Sequence, residues 1–269
     1  MNLNLTGATR LNIIVGDPIA QVKSPGGVTQ GYIDRGHDGM LVPVQVSVED
    51  LAALLKVADT VKNLDGIIVT VPHKFACFKH CSSASDRANF LGAVNIMRRR
   101  KEGGWHGDMV DGLGFVGAVK AKGFDPKGKR ALQIGAGGAG SAIAMALVEA
   151  GVSELAIHDG DTARRDHLIE RLKSLGKAAI KAGSPNPEGF DLVANATPAG
   201  MKAGDPLPID VTKLNPATFV GCVITVPAVS PVVEAARKIG CPTSTGTEMY
   251  NALQGAMLDF LLAPEAVRG

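Results

Sequence analysis

Short apolar runs recur along the chain, and longer segments of helical pattern separate them. The runs are LNIIV at Leu11, LVPVQV at Leu41, GIIVTV at Gly66, ALQIG at Ala131, ELAIH at Glu154, DLVANA at Asp191 and TFVGCVI at Thr218. Such runs alternating with helices predict strands joined by crossover helices, and so an α/β fold with parallel sheets. Between the second and third runs, Ser47 and Asp50 have the spacing of a capping box that would open a helix from Leu51 to Val61.

A different pattern lies between Ala93 and Asp108. Four basic residues, Arg98 to Lys101, are followed by Gly103 and Gly104, which suits a strand, an exposed turn and a returning strand. A polybasic contact with an acidic partner is the alternative, but a solvated hairpin is the favoured interpretation. Because an apolar helix begins at Gly112, we predict a domain boundary there.

Composition narrows the class of protein. A chain of 269 residues with 45% hydrophobic residues, 20% charged residues and a net charge of +2 matches ordinary globular proteins and offers no excess positive charge for nucleic acid. Four cysteines are too few for a disulfide scaffold. No apolar run approaches 18 residues, and the N-terminus lacks the pattern of a signal peptide. We therefore expect a cytoplasmic protein with no nucleic-acid partner and no membrane span.

A glycine-rich turn follows the fourth apolar run. It consists of Gly135, Ala136, Gly137, Gly138, Ala139 and Gly140, and it leads into the Ala/Leu-rich helix from Ser141 to Ala150. The first glycine permits a tight turn, the second lets the backbone approach a pyrophosphate, and the third lets the helix pack close to the strand. The setting of strand, turn and helix predicts a Rossmann dinucleotide site, with a merely tight turn as the alternative.

The second strand of such a unit should end near a group that contacts the adenosine ribose. Asp159 closes the run ELAIH, 19 residues after Gly140, which is near the expected spacing. A carboxylate there accepts hydrogen bonds from ribose hydroxyls and repels a 2′-phosphate. The alternative is a cap for the helix that starts at Thr162, a role that Asp161 could serve equally well.

Polar residues also interrupt the strands of the first half. Thr70, Lys74, Asn95 and Asp111 each follow an apolar run, and ligands of parallel sheets collect beyond the carboxyl ends of strands. We therefore predict that they line one cleft, although each alone could be a surface lysine, a turn residue or a helix cap.

Zinc is the competing interpretation of the next segment. Its candidate ligands are His73, Cys77 and either His80 or Cys81, which have helical spacing. We favour no metal, because buried cysteine commonly behaves as a small hydrophobe.

Seven blocks in one order resemble the shikimate/quinate dehydrogenase family over nearly the whole chain. They are VGDPIAQVKSP from Val15, GIIVTVPHK from Gly66, GAVN from Gly92, GDMVDGLGF from Gly107, the GAGGAG turn, DLVANATPAGM from Asp191 and GTEMYNALQGA from Gly246. The resemblance implies a substrate domain of residues 1–111 completed by a C-terminal helix at 247–269, a Rossmann domain at 112–246, and a cleft between them. It also allows a homodimer through the first domain.

By this resemblance the protein reversibly oxidises a ring hydroxyl of shikimate, quinate or a related hydroxy acid. Lys74 would act as acid/base and Asp111 as its orienting partner. The other implied residues are Ser24, Thr70, Asn95 and Gln254 for the substrate, and Asn195, Thr197 and Met201 beside the nicotinamide.

The chain departs from the family pattern at several positions. Val22 replaces the first serine of a Ser-x-Ser pair, Thr225 stands where a tyrosine is common, and the family's glutamine falls on Leu253 unless one residue is inserted before Gln254. Where the family has Asn-Arg-Thr, this chain has Asp159-Gly160-Asp161. It therefore lacks the arginine that would bind the 2′-phosphate. We therefore predict NAD over NADP. A nucleotide-binding sensor with a drifted substrate pocket is the non-enzyme alternative.

Overall fold

The computed structural model describes residues 5–263, and these form two compact units. Residues 5–110 together with 254–263 make the first unit, and Asp111–Leu253 make the second. Each unit contains one six-stranded sheet. No helix within the described range is long and apolar enough to cross a bilayer.

The first unit is a mixed sheet with helices after its strands. Its strands are β1 (Arg10–Gly16), β2 (Gly39–Gln45), β3 (Leu64–Val69), β4 (Ser83–Ala84), β5 (Ile96–Arg99) and β6 (Trp105–Asp108), and its helices are α1 (Ser24–Asp34), α2 (Leu51–Thr60), α3 (Lys74–His80) and α4 (Asp86–Leu91). The strand order is β2-β1-β3-β5-β6-β4. β1 pairs in parallel with β2 and β3, whereas β5 runs antiparallel to β3 and β6. All six residues of β3 are buried, as expected for a central strand covered on both faces.

Arg99, at the end of β5, binds the C-terminal end of α2 to the sheet through hydrogen bonds. Its guanidinium donates hydrogen bonds to the carbonyls of Ala58 (2.6 Å), Val61 (3.1 Å) and Leu64 (2.9 Å), and it lies over the ring of Trp105 at 4.5 Å. The last carbonyls of a helix have no partner within the helix, so a cation placed there satisfies them. Arg99, one of the four basic residues of the predicted hairpin, thus caps the C-terminal end of α2.

The second unit contains a sheet whose strands are all parallel. Its strands are β7 (Arg130–Ile134), β8 (Glu154–His158), β9 (Ala179–Ala182), β10 (Leu192–Asn195), β11 (Phe219–Cys222) and β12 (Thr243–Ser244), and its helices are α5 (Asp111–Ala121), α6 (Gly138–Glu149), α7 (Thr162–Lys173) and α8 (Pro231–Ile239), with a 3₁₀ turn at Val211–Lys213. The last helix, α9 (Gly246–Leu261), begins in the second unit, and from Gln254 onward its residues belong to the first. The order is β12-β11-β10-β7-β8-β9, with every neighbouring pair parallel. The chain reverses direction across the sheet between β7 and β10, where such folds bind ligands.

The structure confirms the predicted α/β class. All seven apolar runs form strands, and the segment after Ala93 forms the antiparallel pair β5 and β6. α2 begins at Leu51 as predicted, but Asp50 makes no side-chain cap bond; Ser47 and Asp50 bond each other instead. β9 was not predicted, because only one of its four residues is buried. Residues 264–269 of the predicted C-terminal helix lie outside the described part of the chain.

Candidate active site

The glycine turn lies between β7 and α6 in the second unit. Gly135 has φ of +103°, and a Cβ there would lie 2.8 Å from the carbonyl oxygen of Ala196. A Cβ on Gly140 would collide with the carbonyl oxygen of Gly135. Gly137 differs, because nothing lies within 4 Å of the position that its Cβ would take. The backbone at Gly137 therefore borders open space just before α6, and a helix N-terminus of this kind can bind an anion.

Two buried side chains hold this turn. The Gln133 side-chain amide donates hydrogen bonds to the carbonyls of Gly135 and Gly140, both at 2.8 Å. The Asp159 carboxylate accepts a hydrogen bond from the backbone amide of Ala136 at 2.6 Å. The turn is thus fixed from the β7 side and from the β8 side.

The remaining contacts of Asp159 neutralise its charge. Its oxygens accept hydrogen bonds from the Asp161 amide (2.8 Å) and from the Arg164 guanidinium (2.7 and 3.3 Å). Burial raises the pKa of Asp159, but the hydrogen bonds from Arg164, Ala136 and Asp161 outweigh burial and leave the pKa below its ordinary value. Asp161 is the cap of α7, where it accepts from the Arg164 amide at 3.0 Å.

The loop after β10 lies against the glycine turn. Asn195 is fully buried; its amide donates to the Cys222 sulfur at 3.3 Å, and its oxygen accepts from the amide and hydroxyl of Thr197. A Cβ on Gly135 would lie 2.9 Å from the Thr197 methyl. Met201 is 42% exposed. Asn195 therefore supports the loop from inside, while Thr197 is partly buried and Met201 is exposed.

Two predicted substrate residues, Thr70 and Asn95, lie close to the predicted acid/base Lys74 in the first unit. The amide of Val94 donates to the carbonyl of Lys74 at 3.1 Å, and the amide of Val69 donates to the carbonyl of Asn95 at 2.7 Å. These bonds hold Thr70, which directly follows β3, and Lys74, which starts α3, beside Asn95. Lys74 and Asn95 are 8% and 1% exposed. The backbones of these three polar residues therefore come close together at the carboxyl end of β3.

Ser24 and Gln254 lie at the start of α1 in the same unit. Ser24 is the first residue of α1 and is buried. Gln254 donates a hydrogen bond from its amide to the carbonyl of Gly27 at 2.6 Å. The sequence left open whether Gln254 or Leu253 faces the substrate, and the structure shows that the Gln254 amide reaches the first turn of α1.

Asp111 begins α5 in the second unit and is 8% exposed. Its position at the start of a helix agrees with the cap interpretation as well as with a catalytic one.

The residues that could have held zinc have other partners. The ring nitrogen Nε2 of His73 lies 2.8 Å from the Val46 carbonyl, and that of His80 lies 3.1 Å from the Asp59 carboxylate. Burial raises the pKa of the Cys77 and Cys81 thiols to about 12. Among residues 5–263, no group of three or more His, Cys, Asp or Glu side chains is arranged to hold a metal ion.

Comparison with known proteins identifies the family. Residues 14–97 match the family model described as the shikimate dehydrogenase substrate binding domain. A protein named shikimate dehydrogenase (NADP(+)) from Rubrobacter xylanophilus is 34% identical over 250 residues, which cover 91% of this chain and 88% of the relative. The chain belongs to the shikimate dehydrogenase family. It is a dehydrogenase of the class that acts on CH–OH groups.

Two further comparisons agree with this assignment. A protein of the same name from Acidiphilium cryptum is 33% identical and covers 97% of this chain and 94% of its own. A solved structure of a quinate dehydrogenase from Corynebacterium glutamicum in complex with NAD is 28% identical, has a TM-score of 0.85, and covers 96% of this chain and 95% of its own. The family and the two-sheet fold are therefore both supported.

The names of the curated relatives overturn one prediction, that of NAD over NADP. These relatives carry NADP(+) in their names. The physical reason for the error lies at Asp159, because its carboxylate is covered by Arg164 and two backbone amides and is not a free negative charge. Asp159-Gly160-Asp161 contains no arginine, but Arg164, five residues after Asp159, donates to its carboxylate. The signal was the pair Arg164-Arg165 in the first turn of the following helix.

Proposed function

We propose that the protein is an NADP-dependent dehydrogenase that reversibly oxidises a ring hydroxyl of shikimate, quinate or a related cyclic hydroxy acid. The observation that carries this proposal is Lys74, which is buried at the start of α3, just beyond the end of β3, and whose carbonyl accepts a hydrogen bond from the residue before Asn95. Lysine is rarely buried unless it is paired or has a chemical role. Family membership supports the proposal independently.

Lys74 is the proposed acid/base at the reacting oxygen. In the oxidation it accepts the hydroxyl proton, and in the reduction it returns a proton to the same oxygen. Asp111 is the proposed orienting partner, and the polar groups of Thr70, Asn95 and Ser24 are the proposed hydrogen-bonding partners of the substrate. When bound, the dinucleotide accepts or supplies the hydride.

The residues of the second unit fit NADP. The open side of Gly137 and the first amides of α6 suit the pyrophosphate. Arg164 presents a guanidinium that is half exposed, and such a group binds a phosphate with two parallel hydrogen bonds. We propose that Arg164 binds the 2′-phosphate while it keeps Asp159 neutralised, and that Thr197 and Met201 line the nicotinamide end.

Steady-state kinetics test the function directly. Shikimate, quinate and related cyclic hydroxy acids are assayed with NADP and with NAD, and Lys74→Ala is compared with wild type. Loss of general acid–base catalysis should lower kcat by about 100-fold or more, with the dissociation constant for NADP unchanged. Lys79→Ala is the matched control, because Lys79 lies on the same helix and is exposed.

Two results would contradict the proposal. Turnover that survives Lys74→Ala would remove Lys74 from the chemistry. Tight dinucleotide binding without turnover of any hydroxy acid would favour the alternative of a nucleotide-binding sensor.

Compartment and assembly extend the same proposal. All four cysteines of the chain are free thiols, the state that a reducing compartment maintains, and we propose a cytoplasmic enzyme. We also propose a homodimer through the first unit. Size-exclusion chromatography with light scattering measures the mass in solution, and a monomer at micromolar concentration would refute the dimer.

A further inference from the structure

A glutamine lies among the buried apolar residues of β7, the strand that leads into the glycine turn. β7 contains Ala131, Leu132 and Ile134, all buried, and Gln133 among them has no exposed surface. A buried side-chain amide must be satisfied by hydrogen bonds or it destabilises the fold. The position would accept an apolar residue without that requirement, so packing alone does not explain a glutamine there.

The two bonds that Gln133 donates both end on the glycine turn. One goes to the carbonyl of Gly135 and the other to the carbonyl of Gly140. The Gly135 carbonyl and the Ala136 amide belong to one peptide plane, and the Ala136 amide donates to Asp159. That plane is therefore clamped at both ends, directly before Gly137.

The bond to Gly140 acts on the helix. Gly140 lies in the first turn of α6, so this bond joins that turn to the end of β7. The amides at the start of α6 are thereby held in one orientation toward the open side of Gly137. An array of donors that is already oriented loses less entropy when an anion binds.

The side-chain oxygen of Gln133 also indicates that the residue is present for the glycine turn. Its side-chain oxygen Oε1 is buried and has no hydrogen-bond partner among the described residues. Such an atom costs stability and is retained when it serves another purpose. The donors of Gln133 are used and its acceptor is not, which indicates that the side chain is present for the carbonyls of the turn.

We propose that Gln133 is a positioning residue for the dinucleotide pyrophosphate, and that it acts by fixing the peptide of Gly135 and the first turn of α6. It does not touch the ligand. This inference rests on the proposed function only in taking the ligand to be a dinucleotide.

The test compares dinucleotide affinity with stability in Gln133→Met and Gln133→Leu. Both side chains are apolar and similar in volume, so a packing fault in one can be recognised against the other. Isothermal titration should show that the dissociation constant for NADP rises about 5- to 30-fold, as expected for one or two lost oriented bonds. Inhibition by adenosine 2′-monophosphate, which lacks the pyrophosphate, should change less than about twofold.

Thr218→Val is the matched control. Thr218 is buried in the same unit, and its hydroxyl donates to the carbonyl of Phe190 at 2.9 Å, at the amino ends of β10 and β11. This variant should lower Tm and leave the dissociation constant for NADP unchanged.

The outcomes separate this inference from the proposed function. Variants of Gln133 that bind NADP like wild type, or that lose adenosine 2′-monophosphate equally, overturn the positioning role while the function stands. A wild type that binds neither NADP nor NAD overturns both.

Discussion

Arg164 donates two hydrogen bonds to the carboxylate of Asp159, at 2.7 and 3.3 Å. The pair changes the electrostatics at the end of β8, because a carboxylate that would repel a phosphate becomes part of a neutral ion pair. The arginine remains half exposed, so it can bind a further anion.

Replacement of this arginine should affect NADP selectively. Arg164→Ala removes the phosphate partner and uncovers the Asp159 charge, so the KM for NADP should rise about tenfold or more, while the KM for NAD changes little. Arg165→Ala is the control, because Arg165 pairs with Asp166 at 2.7 Å. Equal effects of both substitutions on NADP would contradict the role of Arg164.

Acid should remove the stability that Asp159 contributes. Because the folded pKa of Asp159 lies below its ordinary value of 3.8, the stabilisation is complete above that value and is lost as the pH falls through the folded pKa. Asp159→Asn should therefore lower the free energy of unfolding by about 1–3 kcal/mol at pH 7, and this difference should shrink below about pH 4. Urea unfolding at several pH values measures it, and a difference that does not vary with pH would rule out the charged bond.

Replacement by alanine should have different effects at two glycines of the turn, on dinucleotide affinity at Gly137 and on Tm at Gly140. Gly137→Ala places its methyl in open space, so Tm should be preserved while dinucleotide affinity falls about tenfold because the backbone can no longer approach the pyrophosphate. Gly140→Ala forces a collision with the Gly135 carbonyl and should lower Tm. Thermal melts and titrations distinguish the two, and Gly137→Ala with wild-type affinity would show that the ligand lies elsewhere.

Among the four basic residues Arg98 to Lys101, Arg99 should contribute most to the free energy of unfolding. Arg99→Ala removes the guanidinium hydrogen bonds to the carbonyls of Ala58, Val61 and Leu64 and uncovers Trp105, so the free energy of unfolding should fall by about 2–4 kcal/mol. Arg100→Ala, whose partner Glu102 is exposed and lies 3.4 Å away, should cost less than about 0.5 kcal/mol. Urea unfolding followed by the fluorescence of Trp105 provides the comparison, and similar costs would remove the capping role.

The sequence predicted correctly those features that depend on the spacing of apolar residues and on the order of motifs along the chain. The seven main strands and the glycine turn follow from such patterns, and so does the family. The sequence was misleading at Asp159, where it predicted NAD. The neighbours of the Asp159 side chain depend on the position and orientation of α7 relative to β8, which the sequence pattern does not give. Arg164 lies five residues further along, and no linear spacing shows that its guanidinium returns to the end of β8. Gln133 was counted only as part of a strand for the same reason.

The first unit is discontinuous in the chain, and this affects the order in which it can be completed during synthesis. Leu258 packs against Gly31, Leu261 packs against Gly66, and Gln254 bonds to Gly27. A ribosome makes the binding partners of these residues first and then translates the whole of Asp111–Leu253 before it supplies the residues that cover them. The first unit of the nascent chain therefore keeps the apolar surface around Gly31 and Gly66 uncovered until the whole of Asp111–Leu253 has been translated.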